Sequence, residues 1–302
     1  MKKVLVTGAS GFIGRQSLTP LVRRGFEVHA VTTQSQLDES LTGLDVTWHQ
    51  FDLLEAGTPA VMIQQIQPSH LLHFGWYAEP GKYLESAENM RWVAATLAML
   101  QAFKASEGER FVSAGTCFEY DGAYGFCRED LTPKAPTSLY GTCKDATRAI
   151  LATYADTEAL SLAWGRIFFL YGPYEHPNRL VSSIIRSLLS GQSAKSSAGT
   201  QIRDFMHVSD VAEGFVHLLE SDVRGSVNIC SGQATTIADV ARTIAKQLKA
   251  EGLLELGALP MRANEPPLLI GDVQRLTNEV GFEPRYNLET GIAAAIDWWR
   301  KA

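Results

Sequence analysis

The residues from Lys3 to Gly14 read K-V-L-V-T-G-A-S-G-F-I-G, and this stretch decides the fold. A short apolar run breaks into three glycines at G-x-x-G-x-x-G spacing and then into a helical pattern, which predicts a strand, a tight turn and the start of a helix. Gly8 permits the turn, Gly11 lets the backbone approach a pyrophosphate, and Gly14 lets the helix lie close to the strand. The free N–H groups at such a helix N-terminus bind phosphates. The stretch therefore predicts a dinucleotide site with contacts from Gly8, Ser10, Gly11, Phe12, Ile13 and Gly14.

Composition narrows the class of protein. The chain has 302 residues, of which 45% are hydrophobic and 20% charged, and this is typical of a globular protein with a large core. Its net charge of −6 argues against a protein that coats nucleic acid. Without an apolar run of ~18 residues or a signal peptide before the strand at Val4, we expect a cytoplasmic protein with no membrane contact. Its four cysteines lack C-x-x-C spacing, which predicts reduced thiols.

Apolar runs typical of strands alternate with helical patterns through residue 172. Strands are predicted at 3–7, 26–32, 46–51, 69–74, 110–116 and 161–167, and helices near 12–24, 59–67, 82–105 and 138–156. This alternation predicts an α/β fold with a doubly wound parallel sheet of the Rossmann type. After residue 172 the alternation of strand and helix patterns becomes less regular. We expect a dinucleotide-binding domain from 1–172 plus about 208–232, and a smaller C-terminal α/β substrate domain from 173–207 and 233–302.

A second motif places a tyrosine and a lysine on one helix face. Tyr140 and Lys144 lie four residues apart, so their side chains share a side of the predicted helix. Thr116 ends a predicted strand from which its hydroxyl can reach the same place. A phenol with a pKa near 10 is a poor acid–base group at neutral pH, and lowering this pKa by roughly 3 units takes about 4 kcal/mol. We expect the Lys144 ammonium to supply much of that free energy.

These motifs resemble the extended short-chain dehydrogenase/reductase family, in the branch that acts on nucleotide-diphosphate sugars. The resemblance also covers Tyr171-Gly172-Pro173 and the block from Arg203 to Ala212, R-D-F-M-H-V-S-D-V-A. It implies that Tyr140 is the acid–base, that Lys144 holds the nicotinamide ribose and that Thr116 bonds the reacting sugar oxygen. The nucleotide-sugar contacts that we carry over or infer are Thr116, Cys117, Phe169, Asn178, Arg203 and Arg262. Both arginines have donors suited to a pyrophosphate, and the alternative is a surface ion pair with Asp204 or Glu265.

Two departures from the family pattern narrow the reaction. The 4,6-dehydratases of this family carry an Asp-Glu pair directly after the threonine, whereas this chain has Cys117 and Phe118. Phenylalanine has no titrating group, so elimination of water is disfavoured. Phe169 stands where 4-epimerases often carry an asparagine, which argues against substrate binding of the epimerase kind. The alternative is that Phe169 is a core residue, because phenylalanine is mostly buried for packing.

The end of the second strand predicts the cofactor. An NAD-preferring relative carries an acidic residue there to bond the ribose hydroxyls, and this chain has Thr32 followed by Thr33. Neither threonine repels a 2′-phosphate, and Ser35 and Arg15 offer further donors, so NADP(H) is favoured over NAD(H). Other cofactor contacts implied by the family or by strand ends are Asp52, Leu53 and Phe74.

The sequence therefore predicts a cytoplasmic NAD(P)H-dependent reductase of a nucleotide-linked 4-keto-6-deoxyhexose. The alternatives are a nucleotide-sugar 4-epimerase that uses the same residues, and a non-catalytic protein that senses the cofactor. The scattered histidines predict no metal site. The segments 82–105 and 138–156 resemble the helices through which family members form homodimers. An apolar stripe on the first consists of Trp92, Leu97, Leu100 and Phe103, and packing of part of this stripe against the sheet explains it equally well.

Overall fold

The structure is a computed structural model that describes residues 2–261 and 265–302. Its strands are β1 (Lys3–Thr7), β2 (Glu27–Thr32), β3 (Val46–Gln50), β4 (His70–His73), β5 (Arg110–Thr116), β6 (Phe126–Cys127), β7 (Ser161–Ile167), β8 (Phe169–Tyr171), β9 (Ala194–Ser196), β10 (Ile202–His207), β11 (Gly225–Ile229), β12 (Ala234–Thr236), β13 (Leu254–Leu256) and β14 (Leu268–Gly271). Its α-helices are α1 (Gly14–Arg23), α2 (Thr58–Ile66), α3 (Glu88–Ala105), α4 (Leu139–Thr157), α5 (Leu180–Leu189), α6 (Val208–Glu220), α7 (Ile237–Leu248) and α8 (Leu288–Trp299).

The main sheet has seven parallel strands in the order β11-β7-β5-β4-β1-β2-β3. This confirms the predicted doubly wound parallel sheet, in which β11 is the strand that returns from later in the chain. Apolar clusters cover both faces, one with α1 and α6 and the other with α2, α3 and α4. The strand order reverses between β1 and β4, and ligands of such sheets bind at the carboxyl ends of the strands beside that point.

A second, smaller sheet holds β12, β10, β14 and β6, and β8 pairs with β10. A further cluster packs α5, α7 and α8 together beside it. Two strands of this sheet, β6 and β8, come from before residue 172, so the first part of the chain also contributes to the second sheet. The division into two domains stays a prediction.

The predicted helix at 82–105 begins later than the sequence indicated. Residues Tyr83–Glu85 form a short 3-10 turn, and α3 starts at Glu88. The Asn89 side chain donates to the carbonyls of Tyr83 and Ser86, at 2.7 and 2.9 Å, which holds the preceding segment in a turn outside the helix.

The apolar stripe of α3 faces the interior of its own chain. Leu100 and Phe103 are buried in the core beneath the sheet, and Trp92 and Leu97 pack against the same cluster. Core packing therefore accounts for Leu100 and Phe103, because helical periodicity shows that a face is apolar without showing what covers it. The homodimer stays a prediction.

Two further observations concern the whole molecule. Within the residues that the structure describes, no helix is both long and apolar enough to cross a membrane. All four cysteines are buried free thiols, namely Cys117, Cys127, Cys143 and Cys230.

Candidate active site

The glycine motif forms the predicted turn between β1 and α1. Gly8 has φ of +65°, and a Cβ there would lie 2.8 Å from the backbone nitrogen of Gly75. A Cβ on Gly14 would lie 2.2 Å from the Gly8 carbonyl oxygen, which is far inside contact distance. Because Gly8 and Gly14 carry no side chain, the first turn of α1 lies close to the sheet with its backbone N–H groups accessible. These N–H groups can bind a pyrophosphate.

A cavity of about 1090 Å³ runs from this turn to the second sheet. Many of the predicted site residues line it, from both halves of the chain: Gly8, Gly11, Phe12, Ile13, Gly14, Phe74, Thr116, Cys117, Tyr140, Phe169, Asn178 and Arg203. Phe74 also packs edge-on against Phe215, with ring centroids 5.0 Å apart. The cavity is large enough for a dinucleotide beside a second ligand.

Two of the three predicted catalytic residues, Thr116 and Tyr140, line this cavity. Thr116 lies at the end of β5, and Tyr140 lies in the first turn of α4. Tyr83 packs edge-on against Tyr140, with ring centroids 4.9 Å apart. Burial raises the pKa of Tyr140 above its usual value, and the Thr116 side chain offsets only part of this effect. The expectation that the phenol pKa falls is wrong for the protein by itself, because desolvation dominates.

Lys144 lies behind Tyr140, almost fully buried. Its Nζ donates to the Ala114 carbonyl at 2.9 Å and stands 3.7 Å from the centroid of the Trp76 ring. Burial lowers the pKa of Lys144 to about 7, and the charge of Glu119 acts in the opposite direction. The lysine is thus present where the motif predicts it, but its charge at neutral pH depends on its buried surroundings.

The turn after Thr116 places its side chains on different sides. Cys117 is buried, and burial raises the pKa of its thiol. Phe118 reaches the cavity. Glu119 points inward, where it accepts from Arg166 Nε at 2.6 Å. Sequence reasoning missed Glu119, although Thr116-x-x-Glu119 has the pattern of a capping box and forms one here.

The substrate side of the cavity combines aromatic rings with one buried arginine. Phe169 packs against Phe118 and Phe205, with ring centroids 6.2 and 5.8 Å apart. The guanidinium of Arg203 lies 5.3 Å from the Phe169 centroid and pairs with Glu265 at 3.1 Å. The ion pair with Glu265 that was considered as the alternative is therefore present, with Arg203 itself only 1% exposed, and the pyrophosphate role of Arg203 stays a prediction.

Two other predicted contacts have different outcomes. Asn178 lies exposed at the cavity rim, where its backbone N–H donates to His176 Nδ1 at 3.1 Å. Arg262 falls outside the residues that the structure describes, and its predicted role stays a prediction.

The remaining predicted cofactor residues lie at the ends of β2 and β3. Thr32 is buried, and its Oγ1 lies 2.9 Å from Ser10 Oγ and accepts from the Gln34 N–H at 3.1 Å. Thr33 is exposed. Asp52 accepts from the Leu54 N–H at 2.9 Å, and Leu53 packs in the core.

The cation predicted near this strand end already has a partner. Arg15 pairs with Asp38 at 3.4 Å, and its guanidinium stacks on Tyr174 at 3.7 Å. Sequence reasoning missed Asp38, which follows Thr32 by six residues. In the described part of the chain, no cluster of three His, Cys, Asp or Glu side chains is placed to hold a metal ion.

Comparison with known proteins agrees with this architecture. The sequence profile described as the NAD dependent epimerase/dehydratase family matches residues 4–230. UDP-glucuronic acid decarboxylase 1 of Xenopus tropicalis is 28% identical over an alignment of 316 positions, which covers 99% of this chain and 72% of the relative. The dTDP-glucose 4,6-dehydratase of Xanthomonas campestris pv. campestris (strain B100) is 27% identical, with 98% of this chain and 92% of the relative covered.

Solved structures share the fold. The MoeE5 structure in complex with UDP-glucuronic acid and NAD superposes with a TM-score of 0.84 at 29% identity, covering 99% of both chains. UDP-glucose 4-epimerase of Thermus thermophilus, in complex with NAD, superposes with a TM-score of 0.85 at 24% identity over 99% of both chains, which shows likeness of fold alone. The profile match, which spans most of the chain, establishes that this protein belongs to the NAD dependent epimerase/dehydratase family.

Proposed function

We propose that the protein reduces a nucleotide-diphosphate-linked 4-keto-6-deoxyhexose at C4. Support comes first from Thr116 and Tyr140, which line one cavity, and from Lys144, which is buried behind Tyr140 and donates to the Ala114 carbonyl. Such a set favours an enzyme over a non-catalytic sensor of the cofactor. The named relatives and solved structures act on or bind sugars joined to UDP or dTDP, which supports a nucleotide sugar as substrate.

The observation that carries the proposal is the turn after Thr116. Cys117 and Phe118 occupy the two positions at which similar dehydratases carry an acidic pair, and Glu119 is fully buried in an ion pair with Arg166. Elimination of water needs a general acid and a general base beside the substrate, and this turn offers neither. Because this enzyme lacks the groups for that elimination, a separate dehydratase must make the keto sugar. The reduction of that keto sugar is the next step, and we assign it to this protein.

The state of Tyr140 also favours reduction. Because burial raises its pKa, the phenol is protonated at neutral pH and can give a proton to a ketone oxygen. The oxidative first step of an epimerase instead needs the phenolate as a base. The protein by itself therefore favours the acid form that a reductase uses.

In this proposal each residue has one role. The nicotinamide cofactor, when bound, supplies hydride to the sugar C4. Tyr140 donates its proton to the ketone oxygen, and Thr116 donates a hydrogen bond to the same oxygen. Lys144 binds the nicotinamide ribose, and the bare turn at Gly8 and Gly14 receives the pyrophosphate of the cofactor.

The substrate side of the cavity supports the sugar and diphosphate assignment. The aromatic side chains of Phe118 and Phe169 suit an apolar 6-methyl group better than a carboxylate at that carbon. Arg203 lies beside them with its Nε atom buried and without a partner, and it offers a fork of donors to the diphosphate. Glu265 pairs with that guanidinium at 3.1 Å.

A 4-epimerase is the second candidate, since enzymes of that name share this fold. The test is incubation with NADPH or NADH and a panel of 4-keto-6-deoxy sugars linked to dTDP, UDP, GDP or CDP, each generated in situ by a separate dehydratase. We expect one reduced cofactor to be oxidised for each keto sugar consumed, and little tightly bound cofactor in the purified protein. Interconversion of two unmodified nucleotide hexoses without net oxidation would instead establish the epimerase.

We propose NADP(H) as the preferred cofactor, supported by Thr32 at the end of β2 where an NAD-preferring relative carries a carboxylate. Thr32→Asp is expected to shift the ratio of kcat/KM values toward NADH, because a carboxylate repels the 2′-phosphate and accepts from ribose hydroxyls. Thr47→Asp, at an exposed position within β3, is the matched control. If the unmodified enzyme already prefers NADH by about tenfold (about 1.4 kcal/mol), this reading of the strand end is wrong.

We also propose a homodimer formed by the solvent faces of α3 and α4. These faces carry the exposed apolar residues Met90 and Ile150, 59% and 48% exposed, among small side chains. Light scattering at micromolar concentration is expected to give twice the 33.1 kDa mass of the chain, and Ile150→Asp is expected to give the monomer mass. A monomer for the unmodified protein would exclude this interface.

We propose the cytoplasm as the compartment of the protein, supported by its four free thiols.

A further inference from the structure

Glu119 is a buried carboxylate that does not reach the cavity but bonds the groups that build its catalytic wall. The side chain is 0% exposed. Its Oε1 accepts from the Thr116 backbone N–H at 2.9 Å and from Trp164 Nε1 at 2.8 Å. Its Oε2 accepts from Arg166 Nε at 2.6 Å. One carboxylate thus holds the strand end that presents the Thr116 hydroxyl.

The space around these bonds is closed. A Cβ on Gly115 would lie 2.0 Å from Trp164 Nε1 and 2.6 Å from Glu119 Oε1, so only glycine fits between Ala114 and Thr116. Arg166 is itself 0% exposed and donates to the Tyr120 hydroxyl at 3.1 Å. The carboxylate is therefore held in one position, and the backbone of β5 next to it is held as well.

The same carboxylate acts on Lys144. The lysine bonds the Ala114 carbonyl, two residues before Thr116, and its Nζ stands 5.8 Å from the ring centroid of Trp164, which also donates to Glu119. The other titratable groups facing Lys144 are Tyr140 and His73. Both are uncharged at neutral pH, because burial raises the pKa of Tyr140 and lowers the pKa of His73 to about 3. In the described part of the chain, the carboxylate whose charge raises the pKa of Lys144 is Glu119, and Glu119 is itself paired with the Arg166 guanidinium.

We propose that Glu119 is a positioning residue, which fixes the Thr116 backbone and keeps the buried Lys144 ammonium charged. The inference rests on the proposed function for the roles of Thr116 and Lys144. Loss of the carboxylate loosens the turn that carries the threonine hydroxyl. It also leaves the buried lysine without its negative neighbour, so that Lys144 loses its proton at lower pH and binds the cofactor ribose less strongly.

Glu119→Gln tests the charge with little change of shape. Its carbonyl still accepts from Thr116 and Trp164, but the charge is gone. The probes are NADP⁺ and NAD⁺, titrated by calorimetry from pH 6 to pH 9. We expect the alkaline loss of affinity to occur about 1 pH unit lower in the variant than in the unmodified protein. An unshifted pH dependence in a folded Glu119→Gln protein would overturn the inference.

Two further variants separate this role from stability. Glu119→Gln leaves Arg166 buried and unpaired, so its Tm falls, whereas the double variant Glu119→Gln with Arg166→Met removes both charged partners and regains Tm. We expect the pH shift to persist in the double variant. Trp164→Phe, which removes one N–H donor and keeps the carboxylate, is expected to lower Tm without the shift. Recovery of the original pH dependence together with Tm would mean that Glu119 is structural only.

The binding measurement is independent of the sugar reaction. The probes contain no sugar, so failure of the proposed ketoreductase activity leaves this result intact. Dinucleotide binding that does not weaken at alkaline pH in the unmodified protein would contradict the role given to Lys144, and with it this inference.

Discussion

Tyr140→Phe is expected to lower kcat for the keto sugar by ~10²–10⁴-fold, the usual contribution of a general acid. The phenol lines the cavity beside Thr116 and is protonated at neutral pH, so its removal takes away the proton that we propose the ketone oxygen receives. The phenyl ring keeps its packing against Tyr83. Dinucleotide affinity and Tm are therefore expected to change little, and the loss should appear in kcat.

The measurement is cofactor oxidation at saturating keto sugar, together with dinucleotide binding by calorimetry. Tyr124→Phe is the matched control, since Tyr124 is 57% exposed and its loss of a hydroxyl should leave the rate unchanged. A Tyr140→Phe enzyme with near-normal kcat would show that another group supplies the proton.

The sequence predicted the main sheet because the information there is local. Each of the predicted strands from 3–7 to 161–167 is an apolar run bounded by turns, and the glycine motif identifies the first of them. Lys144 and Tyr140 could also be paired from spacing alone, since four residues on a helix define a shared side. These features can be predicted from local sequence patterns, because they do not depend on contacts between residues distant in sequence.

The remaining features depend on partners far away in sequence. Glu119 shows its capping-box spacing locally, but the donors that hold it come from Trp164 and Arg166, which are 45 and 47 residues away. The pKa direction of Tyr140 was mispredicted for the same reason: burial is a property of the assembled cavity. Asp38 meets Arg15 only because the loop after β2 folds back over α1.

The apolar stripe on α3 shows a different limit. Its period correctly indicated a helix, but a stripe that packs on the sheet and a stripe that packs on a second subunit have the same sequence pattern. The structure assigns Leu100 and Phe103 to the core of their own chain. The homodimer stays a proposal, and the α3 residue that it uses, Met90, is 59% exposed.

Lys144→Met is expected to weaken function and raise stability at the same time. Replacing the ammonium removes the charge-assisted hydrogen bonds that we propose Lys144 donates to the cofactor ribose, and such bonds contribute about 1.5–3 kcal/mol each. Dinucleotide affinity is therefore expected to fall by roughly 10–100-fold, with kcat falling as well. Methionine fills similar space over the Trp76 ring without a charge to bury.

The stability effect has a defined pH window. Burial lowers the pKa of Lys144 to about 7 from its ordinary value of 10.5, so between these pH values the unfolded chain binds more protons than the native protein, and native stability rises with pH. Below pH 7 the full cost of the buried ammonium is present. Tm of Lys144→Met should exceed that of the unmodified protein most clearly at pH 6–7, and the difference should shrink as pH approaches 10. Thermal unfolding monitored by circular dichroism across this range measures it, with Lys104→Met as the control. A Lys144→Met protein that is less stable than the unmodified protein at every pH would mean that the Ala114 bond and the Trp76 contact outweigh the desolvation of the ammonium.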